Sequence, residues 1–156
     1  IQVRWRYSTM EDNVEDVVSG YDRGGLYGHS FGALACLYAA LQTRPDFVVA
    51  SSPSPYLAEY VDDLDQDYRD QIGKRRTQDF RERSVDELSE IRCPVYVFYE
   101  DQALMRQVAS DIADVVPTSS THGLETQRHR LFDHYDSISE VLENAMPLDA
   151  MRKSYE

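Results

Sequence analysis

Lysine is almost missing from this sequence: of its 16 basic residues only Lys74 and Lys153 are lysines, and the other 14 are arginines. Positive charge as a whole is scarce, because 28 acidic residues, 17 of them aspartate, leave a formal charge of −12. Such a balance repels polyanions and excludes a general nucleic-acid surface. The cluster Lys74-Arg75-Arg76 is too small to reverse it and reads as a solvated helix start. Cysteine is nearly as rare. Cys36 lies in an apolar helical run and Cys93 beside Pro94, so both thiols read as small core residues rather than a disulfide framework or a metal set. No apolar run approaches the roughly 18 residues of a membrane helix, which excludes a spanning segment. No charged-then-apolar leader opens the chain, so the expected location is cytoplasmic. The acidic, arginine-biased composition suits a high-salt medium, and a GC-rich coding sequence would also raise Arg over Lys.

What is present is ordinary for a globular protein: 156 residues, 42% apolar and 11% aromatic, enough for a single domain around one core. Strand-like and helix-like stretches alternate along it. Val3 to Tyr7 alternates as a strand, and Ser8 or Thr9 can cap a helix that ends near Gly20. Leu26 to His29 and Asp46 to Ser51 read as buried strands around a helix over Phe31 to Gln42, and Ser52-Pro53-Ser54-Pro55 makes a stiff loop. Tyr56, Tyr60, Leu64, Tyr68 and Ile72 recur every four residues as an apolar helical stripe, within a helical insertion over about 56–91. A more polar helix through Phe80 and a capped short helix from Ser84 to near Ile91 complete that insertion. Pro94 to Tyr99 is the clearest strand, followed by a helix over Ala103 to Val116, a strand over Leu124 to Leu131, a closing helix over Ser137 to Met146 and a peripheral tail over 147–156. The strands are too far apart for hairpins, so the expected class is α/β: a mostly parallel sheet flanked by helices on both faces.

Chemistry concentrates in GLYGHSFGAL, Gly25 to Leu34. Gly28-His29-Ser30-Phe31-Gly32 puts a serine in the frame Gly-x-Ser-x-Gly, between the expected strand and the expected helix. A serine on so tight a strand-to-helix turn stands exposed at the helix N-terminus, because the flanking glycines carry no side chains to collide. In this context the chain resembles the α/β-hydrolase family, whose nucleophile elbow often reads Gly-His-Ser-x-Gly. The resemblance runs from about Val3 to Met146, with the elbow, the acid turn and the final histidine as its specific parts.

The resemblance implies a nucleophile, an acid after a later strand and a histidine after the last strand. Ser30 is the nucleophile. Of Glu100-Asp101, which follow the Pro94 to Tyr99 strand, Asp101 is the expected acid and Glu100 a loop solvator. His134 is the expected base, since it follows the last expected strand and precedes the last helix. His129 falls inside that expected strand, His122 in the loop before it at the opposite end of the sheet, and His29 in the elbow pointing away from Ser30. The Phe31 N–H would supply one oxyanion donor, and the hydroxyls of Ser51, Ser52 and Ser54 read as loop and pocket groups. No metal and no cofactor is called for.

The family's second oxyanion donor, from a His-Gly loop before the elbow, has no counterpart here, and neither do its first strands. If Val3 to Tyr7 is the strand before the elbow strand, a middle strand is missing, and about 20 to 40 residues are expected before Ile1; a partner chain or a rearranged sheet are the alternatives. The implied function is hydrolysis of a small-molecule ester by a serine carboxylesterase. A thioesterase and a non-catalytic binding module are the alternative readings; nothing in the sequence decides oligomeric state, and a homo-oligomer stays open. The 56–91 insertion would serve as a lid, or its tyrosine stripe would pack onto the domain core.

Overall fold

The computed structural model of the chain describes residues 24–55, 57, 59–60, 83–126 and 135–145. Within them β1 (Gly25–His29), β2 (Phe47–Ser51), β3 (Val95–Glu100) and β4 (Ser119–Leu124) form one parallel sheet in the order β1-β2-β3-β4. Helix α1 (Phe31–Thr43) joins β1 to β2, a 3₁₀ helix (Val85–Glu90) precedes β3, α2 (Ala103–Val115) joins β3 to β4, and α3 (Tyr135–Ala145) follows β4. The expected α/β class with a parallel sheet is the one observed. The Val3 to Tyr7 strand, the helix after it, the stretch 61–82 with most of the tyrosine stripe, and the 147–156 tail lie outside the described residues.

Strand order and helix placement are linked by handedness. Each new strand is added on the same side of the previous one, and right-handed crossovers then place every connecting helix on the same face. The side chains obey this. Val48 and Ala50 of β2 and Val95 and Val97 of β3 share a cluster with Leu34, Leu37 and Tyr38 of α1, Leu88 of the 3₁₀ helix, and Val108 and Ile112 of α2. The alternate residues, Phe47 and Val49 of β2 and Tyr96 and Phe98 of β3, pack with Leu124 and with Ile138, Val141 and Leu142 of α3. Period-two alternation thus divides β2 and β3 between the two covered faces.

The helices differ as their sequences do. FGALACLYAALQT buries Ala33, Leu34, Ala35, Leu37, Tyr38, Ala39 and Ala40, so α1 is enclosed on nearly every side. Helix α2 buries only Met105, Val108, Ala109 and Ile112, a single stripe with polar residues opposite. The 3₁₀ helix carries a full capping box: the Asp86 N–H donates to the Ser84 hydroxyl, and the Ser84 N–H donates to the Glu87 carboxylate.

A strand stands at Ser119–Leu124, where a loop was expected before the last strand; of the expected strand Leu124 to Leu131, residues 127–131 lie outside the described residues. SSTHGL has one aliphatic residue and offers little strand propensity; its pairing with β3, from Val95 opposite Ser119 to Glu100 opposite Leu124, is what makes it a strand. Tyr60, the described member of the tyrosine stripe, belongs to the core. Leu57 is fully buried and Tyr60 nearly so, both in the α1 and α2 cluster, and the Tyr60 hydroxyl donates to Asp111 on α2. Burial pushes the Tyr60 phenol far above its ordinary value, and the Asp111 bond adds to the effect. Beside it, Glu59 accepts from the Ser84 hydroxyl and, at 2.9 Å, from the Val85 N–H, so one carboxylate ties the flanks of the 61–82 stretch together.

Candidate active site

Ser30 has φ 57° and ψ −120°, a conformation that costs a residue with a Cβ about 1–3 kcal/mol and persists only where the surroundings enforce it. Four backbone hydrogen bonds do so. The Ser30 N–H donates to the Ser51 carbonyl at 2.9 Å, and the Ser30 carbonyl accepts from Ala33, Leu34 and Ser54 at 3.0, 3.4 and 3.3 Å. The first glycine of the motif makes this turn feasible. A Cβ on Gly28 would stand 2.0 Å from the Gly32 carbonyl oxygen, a collision with backbone that no rotamer relieves. Gly32 differs from the expectation, since a Cβ there would meet no described atom within 4 Å. Collision therefore accounts for Gly28, while at Gly32 it does not.

A serine preceding a helix ordinarily turns its hydroxyl onto the first-turn amides. Ser30 occupies the N-cap position of α1 and makes no such side-chain bond. Its oxygen is left to other partners at the positive end of the helix. Phe31 follows as the first residue of α1, which is where the expected oxyanion N–H belongs.

The ground behind the elbow is polar and closed. Ser51, Ser52 and Ser54 are fully buried, so they are scaffold for the turn rather than pocket-lining hydroxyls. Ser52, itself at φ 47°, donates its N–H to the Phe98 carbonyl at 2.7 Å, tying the end of β2 to β3. The Ser51 hydroxyl lies 3.3 Å from His29 Nδ1, which holds His29 in the sheet as expected. Two strand spacings, about 10 Å, separate β1 from β3. Ser30 and the Glu100-Asp101 turn thus share the carboxyl edge of the sheet.

At that turn the two carboxylates divide. Asp101 is exposed and ion-paired with Arg106 in α2, and its N–H donates to the Thr126 carbonyl at 2.9 Å. Glu100 is 0% exposed, which overturns its reading as a loop solvator. The sequence signal for this was parity: Glu100 continues the Tyr96 and Phe98 face of β3, the face that α3 covers. His122 also departs from expectation. It lies within β4, opposite Phe98, with the two rings stacked at 4.9 Å and Nε2 3.0 Å from the Ser120 hydroxyl. Burial holds its imidazole below the ordinary value. His134 and His129 lie outside the described residues. Both fall in sequence between Leu124, the end of β4, and Tyr135, the start of α3.

Among the described residues no group of His, Cys, Asp and Glu is placed to hold a metal, and no helix is long and apolar enough to cross a membrane. Both described cysteines are free thiols, and burial pushes Cys36 up to about 11.

By sequence the chain matches no family model and no curated protein. By structure it is similar to a lipase-esterase related protein from Clostridium acetobutylicum, with TM-score 0.61 and 21% identity, covering 88% of this chain and 74% of that one. An esterase from Pyrococcus furiosus gives TM-score 0.58 and 17% identity over 86% of this chain and 60% of its own. An α/β-hydrolase enzyme from the metagenome of lagoon sediments at Mar Chica, Morocco, gives 0.68 and 17% over 92% and 70%. At such identities the likeness is one of fold.

Proposed function

We propose that this chain, which has the α/β-hydrolase fold, is a serine hydrolase that cleaves a small carboxylic ester through an acyl-enzyme. The observation that carries the reading is Ser30: a non-glycine residue at φ 57°, held there by four backbone bonds, whose hydroxyl does not cap the helix it precedes. A strained serine with an uncommitted N-cap role is costly for a fold and useful for a nucleophile. The description of structural neighbours as esterases and hydrolases supports the same chemistry.

In this mechanism Ser30 Oγ attacks the ester carbonyl carbon while its proton passes to His134, and the tetrahedral oxyanion is held by the Phe31 N–H. His134 returns the proton to the departing alcohol as the C–O bond breaks. Water, deprotonated by His134, then cleaves the acyl-serine and restores the Ser30 hydroxyl. The acid that orients the imidazole comes from the turn after β3, where the family resemblance points to Asp101. A thioester would follow the same steps with a thiol leaving group.

Labelling by a fluorophosphonate probe tests the reading. We expect the wild type to label and Ser30→Ala to be silent; an unlabelled wild type would instead support a binding module on the same fold. His129, the other histidine between β4 and α3 in the sequence, is the control for the base. Loss of at least about 10³-fold in turnover with His134→Ala, and retention with His129→Ala, is the expected pattern; the reverse assigns the base to His129.

A further inference from the structure

We infer that Ser51 is a positioning residue for the nucleophile, acting through the contact of its hydroxyl with Nδ1 of His29, an inference that rests on the serine-hydrolase reading. Its place in the sheet carries it. Ser51 closes β2 directly opposite His29, the last residue of β1 and the chain neighbour of Ser30. From there it meets the elbow twice: its carbonyl accepts the Ser30 N–H at 2.9 Å, and its hydroxyl lies 3.3 Å from His29 Nδ1.

The residue type is informative. β2 runs Phe47-Val48-Val49-Ala50 before it, and Ser51 is fully buried, where a hydroxyl is tolerated only in hydrogen bonds. Packing alone would be served by alanine. The end of β2 is itself anchored, because the Ser52 N–H donates to the Phe98 carbonyl at 2.7 Å and the Ser54 N–H to the Ser30 carbonyl at 3.3 Å. The Ser51–His29 contact therefore fixes the end of β1 against a strand that β3 already holds. Ser30 needs such a brace, since its φ of 57° is unfavourable for a residue with a Cβ. The net worth of one hydrogen bond is of the same order as that strain, so loss of the contact lets the elbow relax.

A relaxed elbow captures ester as before and attacks it less often, so the loss falls on kcat rather than KM. His29 itself supplies the discriminating variants. The amide of Asn is carried on Cγ, as Nδ1 is in histidine, whereas the amide of Gln stands one bond farther out, in the place of Nε2. The experiment measures fluorophosphonate labelling rate, kcat and KM on a short-chain p-nitrophenyl ester, and thermal melting, for Ser51→Ala, His29→Asn, His29→Gln and the double variant Ser51→Ala/His29→Gln. For Ser51→Ala and His29→Gln we expect labelling rate and kcat to fall about 5–30-fold with KM within about threefold. The double variant is expected within about twofold of the weaker single one, and His29→Asn within about threefold of wild type. A Ser51→Ala protein that melts lower but keeps wild-type kcat, or a His29→Gln protein at least as active as His29→Asn, would overturn the inference and leave the hydrolase reading intact. If Ser51→Ala does not fold, the His29 pair decides alone: higher kcat in His29→Asn than in His29→Gln upholds the inference, and equal or lower kcat rejects it. An unlabelled wild type would remove the hydrolase reading, and this inference with it.

Discussion

The elbow around Ser30 and the turn around Glu100-Asp101 stand on the same edge of one sheet and are specified in different ways. At the elbow the backbone is the instrument: a missing Cβ at Gly28 and four hydrogen bonds to the peptide of Ser30 impose the geometry. At the acid turn the backbone does little to distinguish two neighbouring carboxylates, and burial does everything, with Glu100 at 0% exposure and Asp101 in solvent on Arg106. Local sterics travel with the sequence motif, whereas burial depends on which helix covers which face of a strand.

The sharpest way to break the comparison is at Gly28. Gly28→Ala drives a methyl into the Gly32 carbonyl and is expected to cost at least about 3 kcal/mol, seen as a lower denaturation midpoint, while Gly32→Ala stays within about 1 kcal/mol because the added methyl meets no described atom. A stable Gly28→Ala protein would mean that the elbow geometry is not the one described.

Carboxylates that satisfy backbone should behave unlike carboxylates that only face solvent. Glu59→Gln weakens the bonds to the Ser84 hydroxyl and the Val85 N–H and is expected to cost about 1–2 kcal/mol. Arg106→Ala, which removes the partner of Asp101, is expected to change stability by less than about 0.5 kcal/mol, since both groups are exposed. Urea denaturation measures both, and equal effects would erase the distinction.

The smallest effect expected is in the pH dependence. Folding depresses the His122 pKa by burial, so below the ordinary value of 6.5 the unfolded chain takes up that proton before the folded one does. Stability therefore falls as the pH drops from about 6.5 toward the depressed value, and above 6.5 the His122 contribution is fully present. Melting temperatures of the wild type and His122→Gln between pH 5 and 8 should show a shallower acid slope in the variant; parallel slopes would assign the acid sensitivity elsewhere.

How far the sequence could be read follows the same line. The β1-α1-β2 unit was legible because glycines bound the strand, a continuous Ala/Leu run makes the helix, and the frame around Ser30 has one steric solution. The 3₁₀ helix was legible from its capping box. The β4 strand was not, because Ser119, Ser120, Thr121 and His122 carry no apolar alternation, and a more alternating stretch stood just beyond them. His122 was misplaced with it. Lid or core was not decided for the tyrosine stripe, because four-residue spacing states which side is apolar and not what that side meets; Tyr60, its described member, packs in the core.

By itself the sequence determined the alternation of strand and helix, the parallel sheet and the strained serine, since each follows from short-range sterics and periodicity. Only the tertiary structure decided that β4 is a strand, that Ser51, Ser52 and Ser54 are closed behind the elbow, and that Glu100 is buried where Asp101 is not. Those outcomes depend on register between strands and on the face that α3 covers, contacts among residues distant in the chain that no local pattern encodes.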